Sequence, residues 1–228
     1  MALRATVGWT NSECLGNRLA RRGIRRNLLC SVIIGLAVLA CAQEQTRPLS
    51  QYSIRTYTTE QGLPQNQVRT IAQTQDGYLW FGTNDGLARF DGVKFTIYRQ
   101  ESTPEIGHNS FSVLLVDHLG RLWIATGDGL SCYENGKFRR FTMTDGLPAK
   151  LIHTLAEDRS GKIWVGTWNG LAVFDGVRFR VFKLKNEFAE DPISALADDG
   201  AGGLWVGTFS KGLVHLSDGQ MTVLTVKD

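Results

Sequence analysis

Cysteine all but disappears after the first 41 residues. Cys14, Cys30 and Cys41 stand at the front, and only Cys132 follows. A disulfide within the body is therefore excluded, and so is a metal held by paired cysteines. Histidine is equally sparse. His108, His118, His153 and His215 are scattered, with no pair at metal-ligand spacing. His153 falls inside a β-rich segment and reads as a packed or solvated strand residue rather than a ligand. The chain has no Gly-x-Ser-x-Gly, no Gly-rich phosphate loop and no kinase signature. No catalytic residue, metal or cofactor is expected. A paired-carboxylate glycosidase is not required by any feature. A sustained helical period is also missing beyond residue 50, which argues against an α/β fold.

Excess positive charge is missing from the body as well. The net charge of the 228 residues is +3, but residues 1–42 hold six arginines and one acid. Taking six from 25 basic and one from 22 acidic residues leaves 19 against 21. A basic nucleic-acid surface is thereby excluded, and no nucleic-acid partner is expected. Long apolar runs are limited to one, Leu28–Ala40, thirteen residues without a charge. That is short of the roughly 20 residues a spanning helix needs. It suits the core of a signal peptide, with Ala40-Cys41-Ala42 as the cleavage site. The expected division is a signal peptide at 1–42 and a linker at 43–51, with an exported, periplasmic product. Competing readings are a lipid anchor on Cys41, a twin-arginine signal from Arg25-Arg26, and an uncleaved anchor.

What the chain has in abundance is a repeated phrase rich in glycine. It reads Gly77-Tyr-Leu-Trp80-Phe-Gly-Thr-Asn-Asp-Gly86-Leu87, and returns around Trp123, Trp164 and Trp205. The tryptophans are 43, 41 and 41 residues apart. A period of that length with β-rich content indicates a repeat architecture. Each unit reads as four short strands. Gln67–Thr74 alternates, Asp76-Gly77 turns the chain, and Tyr78–Thr83 follows. Asn84-Asp85 turns it again before Gly86–Phe90, and Asp91-Gly92 precedes Lys94–Tyr98. The expected fold class is all-β, with four four-stranded antiparallel β-propeller blades. A solenoid is the rival, but its repeats are usually shorter. The blades are placed at 58–98, 99–141, 142–182 and 183–226, preceded by an orphan outer strand at 52–57. The frame tryptophans, Trp80, Trp123, Trp164 and Trp205, are expected to pack between blades, with Gly82, Ala125, Gly166 and Gly207 leaving room beside them.

The positions where the copies differ point to function. The second turn of each unit holds Asn84-Asp85, Gly127-Asp128, Trp168-Asn169 and Phe209-Ser210-Lys211. In propeller geometry these turns open on the same face as the loops between blades. That face would be polar with exposed aromatics, the usual make-up of a ligand site. The candidate ligand-binding residues are Asn84, Asp85, Asp128, Trp168, Asn169, Phe209 and Lys211. Asp117, Asp158 and Asp199 each precede a tryptophan by six residues and are expected to accept backbone N–H groups at the first turn.

Tyr57-Thr-Thr-Glu-Gln-Gly-Leu-Pro64, followed by Ile71–Gly92, closely resembles the two-component regulator propeller repeat. The resemblance spans roughly 52–226. It implies a seven-bladed propeller of which four repeats are present here, so the ring is expected to be incomplete. It implies the periplasmic ligand-sensing part of a sensor histidine kinase, with a small-molecule ligand, carbohydrate being one class. The transmembrane and kinase parts are not expected in this chain, which would then not be an enzyme. Other propeller blades, or self-association, are the expected protein partners. A stand-alone propeller enzyme (lyase or glycosidase) and a protein-interaction scaffold are the alternatives from other classes.

Overall fold

The computed structural model describes residues 53–184 and 188–224. The segments expected as signal peptide, 1–42, and linker, 43–51, lie outside the described residues. The chain divides into two compact units, residues 1–55 and 56–228, and every described strand belongs to the second.

Sixteen strands form four separate sheets, each an antiparallel meander in chain order. The first holds β1 (Thr70–Gln73), β2 (Leu79–Gly82), β3 (Leu87–Phe90) and β4 (Phe95–Tyr98). The second holds β5 (Phe111–Val116), β6 (Leu122–Thr126), β7 (Gly129–Glu134) and β8 (Lys137–Phe141). The third holds β9 (Ile152–Glu157), β10 (Ile163–Thr167), β11 (Gly170–Phe174) and β12 (Phe179–Phe182). The fourth holds β13 (Ile193–Asp198), β14 (Leu204–Thr208), β15 (Leu213–Ser217) and β16 (Gln220–Leu224). The leading strands β1, β5, β9 and β13 lie side by side, so the first strand of each sheet is innermost. This is the blade plan of a propeller.

Tight turns keep each meander compact. Asn135 and Asp218 both take positive φ, at 51°, ahead of a glycine that does the same. That pair of conformations is the one two-residue hairpins need, and Asn and Asp tolerate it. At Asp91 and Asp175 the loop is longer. There the carboxylate accepts two backbone N–H groups instead, from Val93 and Lys94 and from Val177 and Arg178.

The sheets stack through their tryptophans. Trp80 lies among Tyr98, Tyr133 and Phe138 of its own and the next sheet. Trp123 meets Phe174 and Phe179 of the third sheet. Trp164 packs with Leu204, Val206 and Val214 of the fourth. The glycine two positions after Trp80 and after Trp164 has the expected reason. A Cβ on Gly82 would come within 2.8 Å of Phe111, and one on Gly166 within 2.7 Å of Ile193. In both cases the neighbour belongs to the next sheet.

A carboxylate clasp explains the six-residue spacing. Asp117 accepts the backbone N–H groups of Leu119 and Arg121 on one oxygen and the Trp123 indole N–H on the other, at 2.8 Å. Asp158 does the same for Ser160, Lys162 and Trp164, with the indole at 2.7 Å. In the first sheet the Thr74 hydroxyl takes the carboxylate's place, 3.1 Å from the Trp80 nitrogen. In the fourth, Asp199 binds His215 at 2.8 Å, and the imidazole stacks on Trp205 at 4.0 Å. A buried indole N–H needs such an acceptor.

The Asp199 clasp makes stability depend on acid. Backbone N–H groups of Ala201 and Gly203, with the His215 side chain, lower the Asp199 pKa from 3.8 to about 2. The folded carboxyl therefore binds its proton less readily than the unfolded one. Its contribution is present above about pH 4 and is lost as the pH falls towards about 2. Acid titration of unfolding should show that decline, and Asp199→Asn should flatten it. An unchanged profile in the variant would remove Asp199 from the account.

The segment 53–57, expected as an outer strand, forms no strand. A fourth strand needs a third strand beside it, and the described residues supply none there. Tyr57 nevertheless packs edge-on against Phe90 and Phe95, at 5.1 and 5.7 Å. Phe141 meets Phe174 and Phe179 in the same manner. The following Gly-Leu-Pro turns are also built alike. Thr58 and Thr142 cap short helical turns (Thr59–Gln61 and Met143–Asp145), and Gly62 and Gly146 end them at φ 105° and 97°. Leu63 and Leu147 are buried beneath.

Candidate functional site

The second turn of every sheet is locked by the threonine of the repeated phrase. Thr83, Thr126, Thr167 and Thr208 donate their hydroxyls to the carbonyls of Gly86, Gly129, Gly170 and Gly212. The same oxygens accept the N–H groups of Asp85, Asp128, Asn169 and Lys211. These four residues thus hold equivalent places, and so do Asn84, Gly127, Trp168 and Phe209 just before them.

The turns meet the loops that enter the first strands. Gly127, Trp168 and Phe209 donate their N–H groups to Ser110, Leu151 and Pro192. Turns and entering loops therefore share one face, as the repeat pattern predicts. The first strands carry a bulge at that end. The pairing skips Ser112, His153 and Ser194, between residues that pair with β6, β10 and β14. A bulge frees one residue from the ladder and re-aims its side chain. Arg69 occupies the corresponding place in the first sheet, next to Thr70, which pairs with Gly82.

The seven candidate residues separate into two groups. Asn84 accepts hydrogen bonds from Arg69 and Ser110 at 3.0 and 3.1 Å, and donates its N–H to Gln65. Asp85 is paired with Arg99 at 3.2 Å. Asp128 is paired with Arg140 and with Lys150, the latter at 2.8 Å. The Lys150 ammonium, with Arg140 behind it, holds the Asp128 carboxyl below the usual range. These three side chains tie turn to loop.

The others face solvent. Asn169 and Lys211 are exposed. Trp168 and Phe209 are 53% and 55% exposed despite their size. Their rings lie 5.7 Å apart and inclined by 56°, which makes a corner rather than a sandwich. His153 sits behind it, 5.5 Å from Trp168 and 5.4 Å from Phe209. Its Nε2 is buried and has no hydrogen-bond partner among the described residues. In the sequence His153 looks like an ordinary strand residue, because a bulge changes the pairing without changing the spacing of the repeat. The face therefore grades from Arg69 and Asn84 on the first sheet, through Gly127 on the second, to an aromatic corner on the third and fourth. Among the described residues, no three His, Cys, Asp or Glu side chains are grouped to hold a metal ion. Burial pushes the Cys132 thiol up to about 12, which leaves it unreactive.

Comparison with known proteins accords with this architecture. Residues 62–85 and 146–169 match the family described as "Two component regulator propeller". These stretches carry the phrase of the first and third copies. A stretch of 50 residues is 46% identical to histidine kinase P4 of Formosa agariphila, covering 22% of this chain and 4% of the kinase. The extracellular domain of the hybrid two component system BT3049 from B. thetaiotaomicron superposes with a TM-score of 0.63 at 25% identity. It covers 72% of this chain and 24% of that one. Virginiamycin B lyase from Staphylococcus aureus has a TM-score of 0.56 at 16% identity, over 70% of this chain and 55% of the lyase. That likeness is one of fold alone. The chain thus spans about a quarter of the sensor structure and a small part of the kinase. Two of its four repeats match the two-component regulator propeller family, and the sensor extracellular domain shares their fold. Among the described residues, no helix is long and apolar enough to cross a membrane.

Proposed function

We propose that this chain is an exported, ligand-sensing propeller segment of a two-component receptor, and that it holds its ligand on the face of the second turns. The observation that carries the reading is the corner of Trp168 and Phe209. Two large aromatic rings stand exposed side by side at places where the first two sheets carry Asn84 and Gly127. Exposed rings beside a few polar groups suit a ligand with a flat apolar face and a polar rim. A sugar ring has that character, and carbohydrate is the class we assign. Asn169 and Lys211 supply donors and an acceptor at the edge. Asp85 and Asp128, held by their arginine and lysine partners, keep the turns in place. The likeness to extracellular sensor domains supports both the export and the sensing role, and nothing in the site requires chemistry on the ligand.

Calorimetric titration with a panel of neutral and acidic oligosaccharides tests the reading. Trp168→Ala should weaken whichever sugar binds by about 1–2 kcal/mol, with the melting temperature nearly unchanged, because the ring is half in solvent. If the variant unfolds instead, Trp168 belongs to the core and the face is misassigned. Turnover of a bound sugar would favour the enzyme reading.

A further inference from the structure

Away from the aromatic corner, grooves lie at the second and third junctions between sheets, over the tryptophan and its aromatic neighbours. The three junctions differ in one respect. Between the first and second sheets, the Arg89 guanidinium lies 4.5 Å from the Tyr78 ring, 5.7 Å from Trp80 and 5.9 Å from Tyr98. Between the second and third, Arg121 lies 5.2 Å from Trp123 and Arg139 lies 4.5 Å from Phe141. Arg121 also donates to the Asp117 oxygen that holds the Trp123 indole, at 2.6 Å.

At the third junction, no guanidinium of the described residues covers the rings. Lys162 stands where Arg121 stands, two residues before the tryptophan. Arg180 holds the place of Arg139 in its hairpin, but its Nε donates to Asp175 at 2.6 Å, which draws the group aside. Leu216 and Met221 replace Phe174 and Phe179. A groove of about 370 Å³ lies here, lined by Trp164, Phe182, Leu204, Leu216, Met221 and Asp158. The second junction has one of about 440 Å³ that Arg121 and Arg139 themselves line, so the junctions differ in the missing guanidinium and not in the space. Among the described residues, the Asp158 Oδ2 accepts the Trp164 indole N–H alone, whereas its counterpart on Asp117 accepts an arginine as well.

We propose that this third groove takes the guanidinium of an arginine side chain from a partner polypeptide. The planar cation would lie on Trp164 and Phe182 and donate to Asp158 Oδ2, completing the arrangement that the chain supplies for itself at the second junction. Lys162 and Lys183 also line the groove, balanced by Asp158 and Asp218, so net charge does not select the guest. Shape and hydration do. A guanidinium is flat, weakly hydrated and stacks on rings, while an ammonium is compact and keeps its water.

The test follows the Trp164 indole resonance by ¹⁵N NMR, identified by its loss in Trp164→Phe. The probes are a blocked Gly-Arg-Gly peptide, the same peptide with citrulline or lysine at the centre, and free L-arginine. The arginine peptide should shift the resonance saturably, with citrulline and lysine at least about ten-fold weaker. Lys162→Arg should restore an internal guanidinium and raise the dissociation constant for the arginine peptide at least about ten-fold, without lowering the melting temperature. Asp158→Asn should weaken the peptide similarly; should that variant misfold, Lys162→Arg decides alone. Absence of a saturable shift, equal binding of the citrulline peptide, or full binding by Lys162→Arg would each overturn the proposal. Tighter binding of free L-arginine than of the blocked peptide would overturn the polypeptide source.

Discussion

Replacing Trp123 with alanine should lower the unfolding free energy by about 3–5 kcal/mol, the range for removing a large buried aromatic. The ring is almost fully buried between two sheets, with Phe141, Phe174 and Phe179 at centroid distances of 5.8, 5.1 and 6.1 Å. Its removal empties a junction that the second and third sheets share, so neither can close over the gap alone. The indole N–H goes with it, and Asp117, whose side chain is buried, keeps only its backbone and Arg121 partners. Trp205 is the control within the same chain. It occupies the same place in its sheet but is only half-buried, because no further sheet among the described residues lies against it. Trp205→Ala should cost well under half as much. Urea denaturation of the two variants decides the matter. Equal losses would mean that the cost arises within each sheet, and that packing between sheets is not what the tryptophan provides.

That contrast shows what the sequence makes legible and what it hides. A tryptophan in register four times, followed two places later by glycine or alanine, points to packing between repeats, and Gly82 against Phe111 is the contact it implies. The aspartate six residues earlier is legible as a turn acceptor. Its second duty, to the indole of the tryptophan, is not, since spacing alone does not say which oxygen faces which donor. The bulges at Ser112, His153 and Ser194 leave no trace in the repeat length. For that reason the aromatic corner of the candidate site is visible in the sequence as Trp168 and Phe209 but not as a trio with His153. Asp85 and Asp128 look free for a ligand there because their partners, Arg99 and Arg140, arrive more than ten residues later, beyond the reach of a local pattern. The stretch 53–57 matches an outer strand in register, and Tyr57 takes the corresponding aromatic contact. A strand, however, is defined by its neighbour, and register cannot provide one.

The same logic of paired faces leads to the second large effect. In the third sheet, the face turned to the second sheet carries Leu155, Ile163 and Val165, all buried. The equivalent residues of the first sheet are Ile71, Leu79 and Phe81. Ile71 is 60% exposed, and the other two are half-buried. At the other end, Trp205, Leu213 and Leu224 of the fourth sheet look outward, the two leucines 37% and 39% exposed. These surfaces are the two halves of one junction that the chain makes three times internally. Because the halves differ, association of copies would be heterologous, the last sheet of one copy against the first of the next. Exposed apolar faces of several hundred Å² drive such contact, and repeats of this kind depend on their neighbours for stability. Sedimentation of the purified chain at several concentrations should therefore show assembly that grows with concentration, with the melting temperature rising alongside it. Ile71→Glu together with Leu224→Glu places a charge on each half and should return the protein to a monomer with a lower, concentration-independent transition. Neither residue belongs to the aromatic corner of Trp168, Phe209 and His153, so sugar binding per chain should persist in that variant. A compact wild-type monomer with a single high transition at every concentration would mean that four sheets satisfy their own outer faces, and that the exposed residues at the two ends cost the fold little.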